Sequence, residues 1–434
     1  MIHALYHDSI TLVFELSTGE DDAAVQQRSG TVQHREHGPR WSLPIYLVAC
    51  TWVSVLSTDL YAPSLSHLPD LLGTTDRLAA MTMSFNLAAF AIAQLVHGAL
   101  ADRFGRRAML LAGMTGFAIA SALCAMAPSI EALIAGRSLQ GLLSSVPSVV
   151  VLVLIHELYG AGRAVRILGF HGMAVGIAPI VGPLIGGFVY ITLGWRAIFW
   201  LLAVFAALVA VLVLRNVPET LAKPVPLSPA ATMRNYVAVI MRLEVLAHLL
   251  PLAASFGVLF AFVTAGPFLL IGRYGVATED YGLYFGAVII AAMGGSLIAN
   301  WFGERVSIGI LERVAFGFAG LGVLTLVLAV VIPGIEGAVS ITAGMMIFAV
   351  GLRLINSSAP LLLLDSAGGV PRSIASAVAG SAQLLAATGA SFLVGLFPSE
   401  SARPMVVVMV VLIILGSTGF VLRSVPRVCD KEPG

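Results

Sequence analysis

Twelve long apolar stretches, separated by short polar connections, occupy most of the chain after residue 42. A helix needs about 20 mostly apolar residues to cross a hydrocarbon core. The stretches do not alternate in polarity, as the strands of a membrane β-barrel would. The pattern therefore predicts membrane-spanning helices at residues 43–63, 80–100, 108–127, 131–157, 164–190, 197–214, 245–271, 281–301, 308–332, 338–364, 371–397 and 404–423.

A proline-rich connection divides these spans six and six, as a linker between two bundles would. We therefore expect an all-α polytopic membrane protein with twelve transmembrane helices in two six-helix bundles. The predicted divisions are a polar N-terminal tail at 1–42, an N-terminal bundle at 43–215, a cytoplasmic linker at 216–243, a C-terminal bundle at 244–423 and a C-terminal tail at 424–434.

The composition excludes a soluble enzyme. Of the 434 residues, 58% are hydrophobic and only 11% are charged, against about 25% charge in soluble proteins. The net charge of +1 predicts no nucleic-acid partner. The chain carries no phosphate loop, no zinc-ligand spacing and no catalytic serine elbow, so we expect no enzyme activity, no cofactor and no metal. The missing phosphate loop also argues against a built-in ATPase.

The basic residues predict the orientation of the chain. With both termini in the cytoplasm, eighteen Lys and Arg residues fall in inner segments and four in outer segments, while two lie inside spans. Basic residues concentrate on the cytoplasmic side of membrane proteins. An odd number of spans would orient the two halves inconsistently, so the same bias supports the number twelve.

An internal repeat also divides the chain. The connection after the second span, residues 98–107, aligns with residues 298–305 after the eighth, pairing Asp102 with Asn300 and Arg107 with Arg305. Transporters are often built from duplicated halves, with the substrate site at their interface near the midplane of the membrane.

Several motifs resemble those of the major facilitator superfamily. Residues 98–107 (GALADRFGRR) and 133–141 (LIAGRSLQG) are similar to its loop and fourth-helix motifs. Residues 58–63 (TDLYAP) and 176–187 (GIAPIVGPLIGG) resemble the drug:proton antiporter branch. Pro218-Glu219-Thr220 and Gly266-Pro267-Phe268 further resemble the Bcr/CflA family of bacterial drug efflux proteins. The resemblance implies the major facilitator fold, a bacterial inner-membrane location, a monomer in the lipid bilayer, and protons and a small molecule as partners.

Asp59 and Arg137 are the predicted proton-coupling residues. A charged residue at the centre of a spanning helix costs about 2.5–3.5 kcal/mol and usually marks an ion or proton route. Desolvation favours a protonated carboxyl group, and a bound cationic substrate favours the ionised one. The alternative for Asp59 is a cap at the end of a helix broken before Pro63. Arg137 cannot lose its proton, and the resemblance implies a coupling role, although a structural anchor would also explain it.

Further polar and aromatic residues within spans are candidates for the wall of a substrate cavity. His171 can titrate near pH 7, although a packing histidine is equally consistent with the sequence. The asparagines could instead tie helices together, and the phenylalanine could face lipid. The predicted cavity residues are Tyr61, Asn86, Gln140, His171, Phe260 and Asn356.

Two motifs are expected to control access to that cavity. The gating loop comprises Gly98, Asp102, Arg103, Gly105, Arg106 and Arg107. Its aspartate could sit at the N-terminus of the next helix, whereas Glu157 is expected to be solvated. The antiporter helix motif comprises Gly176, Pro179, Gly182, Pro183, Gly186 and Gly187. Its small residues permit close helix approach, and the resemblance implies a seal against leak. Positive-inside anchoring and ordinary helix packing are the simpler alternatives.

The sequence therefore favours a proton-coupled secondary transporter that exports small amphipathic drugs or metabolites by alternating access. A proton symporter that imports a small nutrient is the alternative within the same class, and the antiporter helix motif argues against it. A non-transporting membrane sensor is the alternative from another class, and it would leave Asp59 unexplained.

Overall fold

Every regular element is helical in the part of the chain that the structure describes. The computed structural model describes residues 42–221, 223, 229–303, 305–366, 372–397 and 401–423. The predicted N-terminal tail up to residue 41, residues 224–228 of the linker and the C-terminal tail at 424–434 lie outside the described residues.

Twelve apolar helices follow one another along the described chain. They are α1 (Ser42–Asp59), α2 (Asp76–Phe104), α3 (Arg106–Ala125), α4 (Ile130–Gly160), α5 (Gly162–Leu193), α6 (Trp195–Asn216), α7 (Leu243–Pro267), α8 (Tyr281–Phe302), α9 (Ile308–Val331), α10 (Ala338–Ser366), α11 (Arg372–Gly395) and α12 (Arg403–Arg423). A shorter helix, Pro229–Ile240, lies in the linker between α6 and α7.

The predicted fold class is confirmed. Eleven helices of the described chain are long and apolar enough to cross a membrane, and the apolar part of α12, Arg403–Gly419, is shorter. The first span differs from its prediction as a continuous helix over 43–63, because α1 ends at Asp59 and a 3-10 helix over Ala62–His67 follows. Pro63 begins that turn, since its fixed φ suits the first positions of a new helix.

Local signals in the sequence set several helix boundaries. The side chains of Thr75 and Ser129 accept hydrogen bonds from the backbone N–H groups of Leu78 and Ala132, so they cap α2 and α4. Gly160 separates α4 from α5 with a φ of 65°, a conformation that residues with a side chain rarely adopt. The result is a tight turn between two long helices.

Each half of the chain packs mainly against itself, and the main helix contacts between the halves involve α2 with α11 and α5 with α8. In the first half α3 packs against α4 and α6, and in the second half α7 packs against α10, α11 and α12. The exact boundaries of the two bundles stay a prediction.

The two ends of the helix bundle differ in how tightly the halves meet. We call the end that carries the α6–α7 linker the linker end, and the opposite end the distal end. Toward the distal end α5 and α8 are in contact, because Gly282 lies against Leu184 and Gly286 against Ile180. Toward the linker end, Gly176 of α5 and Gly294 of α8 have no neighbour within 4 Å of the place a Cβ would take. The close contacts between α5 and α8 at these glycines therefore lie at the distal end.

Candidate functional site at the buried Arg137 and Asp59

The side chain of Arg137 lies at the centre of the first half, fully buried on α4. Its Nη1 donates to the carbonyl oxygen of Ser57 (2.8 Å) and to Oε1 of Gln140 (2.9 Å). The guanidinium lies 4.7 Å from the centre of the Tyr61 ring, within the range of a cation–π interaction. The positive charge is therefore held by a carbonyl, an amide and an aromatic face.

Three of the predicted cavity residues belong to the same buried cluster. Asn86 donates from Nδ2 to the carbonyl oxygen of Arg137 (2.8 Å), and Gln140 donates from Nε2 to the hydroxyl of Ser121 (2.7 Å). The Tyr61 hydroxyl is hydrogen-bonded to Thr82. Tyr61 and Gln140 are fully buried and Asn86 is 2% exposed. In this state they bind α1, α2, α3 and α4 together, and their role in binding substrate stays a prediction.

Asp59 lies at the C-terminal end of α1, two residues beyond the carbonyl that Arg137 binds. It is 8% exposed, and its Oδ2 is buried without a hydrogen-bond partner. The ion pairs formed among the described residues do not include it. A buried carboxyl group without an ionic partner is costly, and such groups in membrane helices usually serve transport.

The distal glycines of the antiporter helix motif bring α5 against two other elements. A Cβ at Gly182 would lie 2.7 Å from the Cβ of Asp59, and a Cβ at Gly186 would collide with the Leu60 carbonyl oxygen. A Cβ at Gly187 would lie 2.6 Å from the carbonyl oxygen of Thr278, in the other half of the chain. By contrast, Gly176 faces open space. Only the distal part of the motif therefore forms close contacts.

Prolines mark the same segment of α5. Pro179 and Pro183 lie inside the helix, where each removes one backbone hydrogen bond. Pro183 is buried and Pro179 half-buried. They bracket the stretch in which α5 changes from an open face to close packing.

The other three predicted cavity residues lie apart from this cluster. The ring of His171 on α5 lies 2.9 Å from the Thr51 hydroxyl on α1. In the second half Asn356 on α10 accepts a hydrogen bond from Gln383 on α11 (3.0 Å). Phe260 on α7 is half-buried and stacks on Phe256. The asparagine and the histidine thus tie helices together.

The gating loop forms a polar cluster at the linker end. Arg106 is 8% exposed. Its Nη2 pairs with Asp102 (2.8 Å) and with Glu157 of α4 (3.1 Å). Glu157 also accepts a hydrogen bond from Thr220 (2.5 Å). Glu157 is exposed, as expected, and the end of α4 brings it beside Arg106 as well.

The remaining loop residues have separate surroundings. Gly98 lies beside Val149 of α4, Arg107 donates from Nη2 to the Leu214 carbonyl oxygen, and Arg103 is exposed. Gly105 has a φ of 99° and forms the break between α2 and α3. These contacts all lie within the first half of the chain.

The prediction that Asp102 sits at the N-terminus of the helix after the loop, α3, was wrong. Helix α2 continues to Phe104, which leaves Asp102 inside its last turn. The carboxylate of Glu219 takes that place, and its Oε1 accepts a hydrogen bond from the Arg106 backbone N–H (2.9 Å). The lack of a side chain at Gly105 makes room for that carboxylate. The sequence showed Glu219 only as part of a family motif.

Glu219 follows α6 and so lies outside the membrane-spanning segments. Partial desolvation pushes its pKa upward, but the backbone N–H groups of Leu221, Arg106, Thr220 and Ala108 outweigh this and hold the pKa below its ordinary value. Hydrogen bonds to an ionised carboxylate favour that form. The gating loop therefore packs around the ionised carboxylate of Glu219.

Tyr281 is a further polar residue that the sequence reasoning missed. It begins α8 and is fully buried, and its hydroxyl has no hydrogen-bond partner. Its neighbour Gly282 packs on Leu184 of α5. A tyrosine at the edge of an apolar stretch is common at membrane interfaces, so the sequence gives no signal that separates this one.

Comparison with known proteins connects this arrangement to a family. The family described as the Major Facilitator Superfamily matches residues 47–394. A chloramphenicol resistance protein of Pseudomonas aeruginosa is 29% identical over 362 residues, which cover 81% of this chain and 83% of that protein. A bicyclomycin resistance protein homolog of Haemophilus influenzae is 29% identical over 272 residues, covering 62% and 68% of the two chains.

Solved transporter structures share the fold. A peptide transporter POT in complex with sulfate superposes with a TM-score of 0.71 at 15% identity, covering 88% of this chain and 94% of that one. A D-xylose-proton symporter superposes with a TM-score of 0.68 at 17% identity, covering 88% and 97%. At these identities the likeness concerns the arrangement of the helices.

Proposed function

The chain belongs to the major facilitator superfamily, and from that membership we propose that it is a proton-coupled antiporter that exports small amphipathic drugs or metabolites. The superfamily consists of multi-pass membrane transporters, so the protein moves a small molecule across a bilayer. The similarity to a chloramphenicol resistance protein and to a bicyclomycin resistance protein homolog supports drugs as the substrate class.

The observation that carries the proposal is the surroundings of Asp59. This carboxyl group is almost fully buried in the first span, and Oδ2 has no hydrogen-bond partner. A carboxyl group in such a place can hold a proton and release it only when a cationic group or water reaches it. Competition between a proton and a cationic substrate for Asp59 is sufficient to exchange one for the other.

Arg137 supports this exchange without moving a proton itself. Its guanidinium is anchored to the carbonyl oxygen of Ser57, in the same turn of α1 as Asp59. Its positive charge reaches the C-terminal end of α1 from α4. We infer that it sets the electrostatic potential at the carboxyl group and fixes the end of α1.

Alternating access then follows from the contacts between the halves. The contact of α5 with α8 at the distal end, and the absence of close neighbours at Gly176 and Gly294, support a state that is closed distally and receives substrate from the linker side. The bias of basic residues supports a cytoplasmic linker and cytoplasmic termini. In this state the protein would take up substrate from the cytoplasm.

The test is Asp59→Asn in purified protein reconstituted into liposomes. We expect the variant to fold and insert but to lose ethidium/proton exchange under an imposed pH gradient, because the amide cannot carry a proton. Asp70→Asn, a change at an exposed carboxylate in the connection between α1 and α2, is the matched control and should exchange normally. Normal exchange by Asp59→Asn would refute Asp59 as the proton carrier.

A further inference from the structure

A side-chain hydrogen bond joins the two halves of the chain at the distal end. Its partners are Nε2 of His67, the last residue of the 3-10 helix after α1, and the hydroxyl of Thr278, just before α8. The two atoms are 2.9 Å apart. Thr278 is 8% exposed and His67 is half-buried. A neutral imidazole has one donor and one acceptor nitrogen, and a hydroxyl serves as either, so the pair bonds in both tautomers of the histidine.

Helix α5 positions both partners of this bond. A Cβ at Gly187 would lie 2.6 Å from the carbonyl oxygen of Thr278, so the glycine lets that backbone approach closely. Tyr190 lies three residues further along and therefore on the same side of the helix. Its ring stacks on the imidazole of His67, with ring centres 4.6 Å apart and planes inclined by 12°. One side of α5 thus holds the backbone of Thr278 and the ring that binds its side chain.

The turn that carries His67 is itself firmly packed. Residues 62–65 of the 3-10 helix are buried. The Ser64 hydroxyl donates to the carbonyl oxygen of Tyr61 (2.7 Å), and the ring of Pro63 fixes the backbone at the start of the turn. The imidazole is therefore presented to the second half by a packed segment of the first half.

A second hydrogen bond between the halves differs in what its partners keep when it breaks. The hydroxyls of Ser84 on α2 and Ser391 on α11 are 2.9 Å apart. Ser391 is also bonded to Thr264 of its own half (2.7 Å), and the Ser84 hydroxyl lies 3.4 Å from a carbonyl oxygen of its own helix. Within the part of the chain that the structure describes, the side chains of His67 and Thr278 form no second hydrogen bond. Their bond is therefore the one whose free energy depends on contact between the halves.

We propose that His67 and Thr278 form a latch that holds the distal end closed, and that both are positioning residues for alternating access. This inference rests on the proposed function. When the distal end opens, the segment before α8 moves away from α5 and from the turn after α1, so the bond breaks and water replaces each partner. The net free energy of such a bond is small, so the latch shifts the balance between closed and open states and still allows the transporter to cycle.

The experiment measures how often the distal end is open in the purified, substrate-free transporter in lipid nanodiscs. Spin labels at the exposed Leu71 and Ile335 report the distance across the distal end by pulsed electron paramagnetic resonance. Thr278→Val removes the hydroxyl and keeps the shape of the side chain, and we expect it to raise the ratio of open to closed molecules by about fivefold. Thr278→Ser keeps the hydroxyl and is the matched control, so its ratio should stay near that of the wild type.

The partner variant is His67→Phe, which keeps a ring to stack on Tyr190 and removes the nitrogen. It should raise the ratio as much as Thr278→Val does. The double variant should be no more open than either single variant, because each change removes the same bond.

Three results would overturn the latch: unchanged ratios in the single variants, an equal rise in Thr278→Ser, or effects that multiply in the double variant. The measurement uses neither substrate nor a proton gradient. Absence of ethidium exchange in the wild type would therefore refute drug export and leave the latch standing, whereas unchanged distances in variants of an actively exchanging protein would count against the latch alone.

Discussion

At the scale of single residues, the cost of burying charge explains the site. Arg137 cannot deprotonate, so its guanidinium must be satisfied wherever α4 places it. The sequence left open whether it serves coupling or anchors the structure. The structure shows a carbonyl of α1, Gln140 and the Tyr61 ring as its partners. Oδ2 of Asp59 has no such partner. Arg137 is therefore an anchoring residue, whereas Asp59 is the candidate proton carrier.

Glu219 carries a prediction at this scale. Its pKa is lower in the folded protein than the ordinary 4.5, so its contribution to stability is present above that pH and is lost as pH falls through the lowered pKa. Glu219→Gln should therefore lower the melting temperature at pH 7, and the difference from wild type should shrink below pH 4.5. Thermal unfolding in detergent across this range measures it.

A matched change checks that the effect comes from the loop. Glu279→Gln alters an exposed glutamate at the distal end and should leave the melting temperature near that of the wild type. A difference between Glu219→Gln and wild type that stays constant with pH would contradict the role of the ionised carboxylate.

At the scale of elements, the antiporter helix motif of α5 is tightly packed at one end and not at the other. The spacing of its glycines predicted close helix approach. The structure places Gly182, Gly186 and Gly187 against neighbouring elements and leaves Gly172 and Gly176 without any neighbour within 4 Å. The pattern of small residues is similar throughout the motif, so only the packing of α5 against the end of α1 and the segment before α8 decides which glycines are in contact.

Gly187→Ala tests the distal closure. Its new Cβ would lie 2.6 Å from the backbone oxygen of Thr278. Overpacking of this kind costs about 1–3 kcal/mol, which should shift the ratio of closed to open distal ends by about tenfold. Pulsed electron paramagnetic resonance between spin labels at the exposed Leu71 and Ile335 should show a larger population of long distances. Gly176→Ala, which faces open space, should leave the distribution unchanged, and an identical shift in both variants would contradict the explanation.

At the scale of the whole molecule, charge and packing describe different properties. The basic residues predict the orientation of the chain in the bilayer, with eighteen in the inner segments and four in the outer ones. The close contact of α5 with α8 lies at the distal end. In the predicted orientation, that end faces away from the cytoplasm.

The orientation can be tested directly in intact cells and inverted vesicles. In a Cys429→Ser background, the remaining Cys50 and Cys124 are buried. A cysteine at Met241, 77% exposed in the linker region, should react with an impermeant maleimide only in inverted vesicles. A cysteine at Leu71 on the distal side should react only in intact cells. The opposite pattern would overturn the topology.

The sequence by itself determined the fold class, the positions of most spans and the charged residues that lie inside spans, such as Asp59 and Arg137. Apolar length, basic bias and isolated charges act locally, so they can be read along the chain. Only the tertiary structure decided that Glu219 and not Asp102 caps α3, that α1 ends at Asp59, and that Gly182 of α5 lies against Asp59. These outcomes depend on how distant helices pack, and no local pattern specifies that.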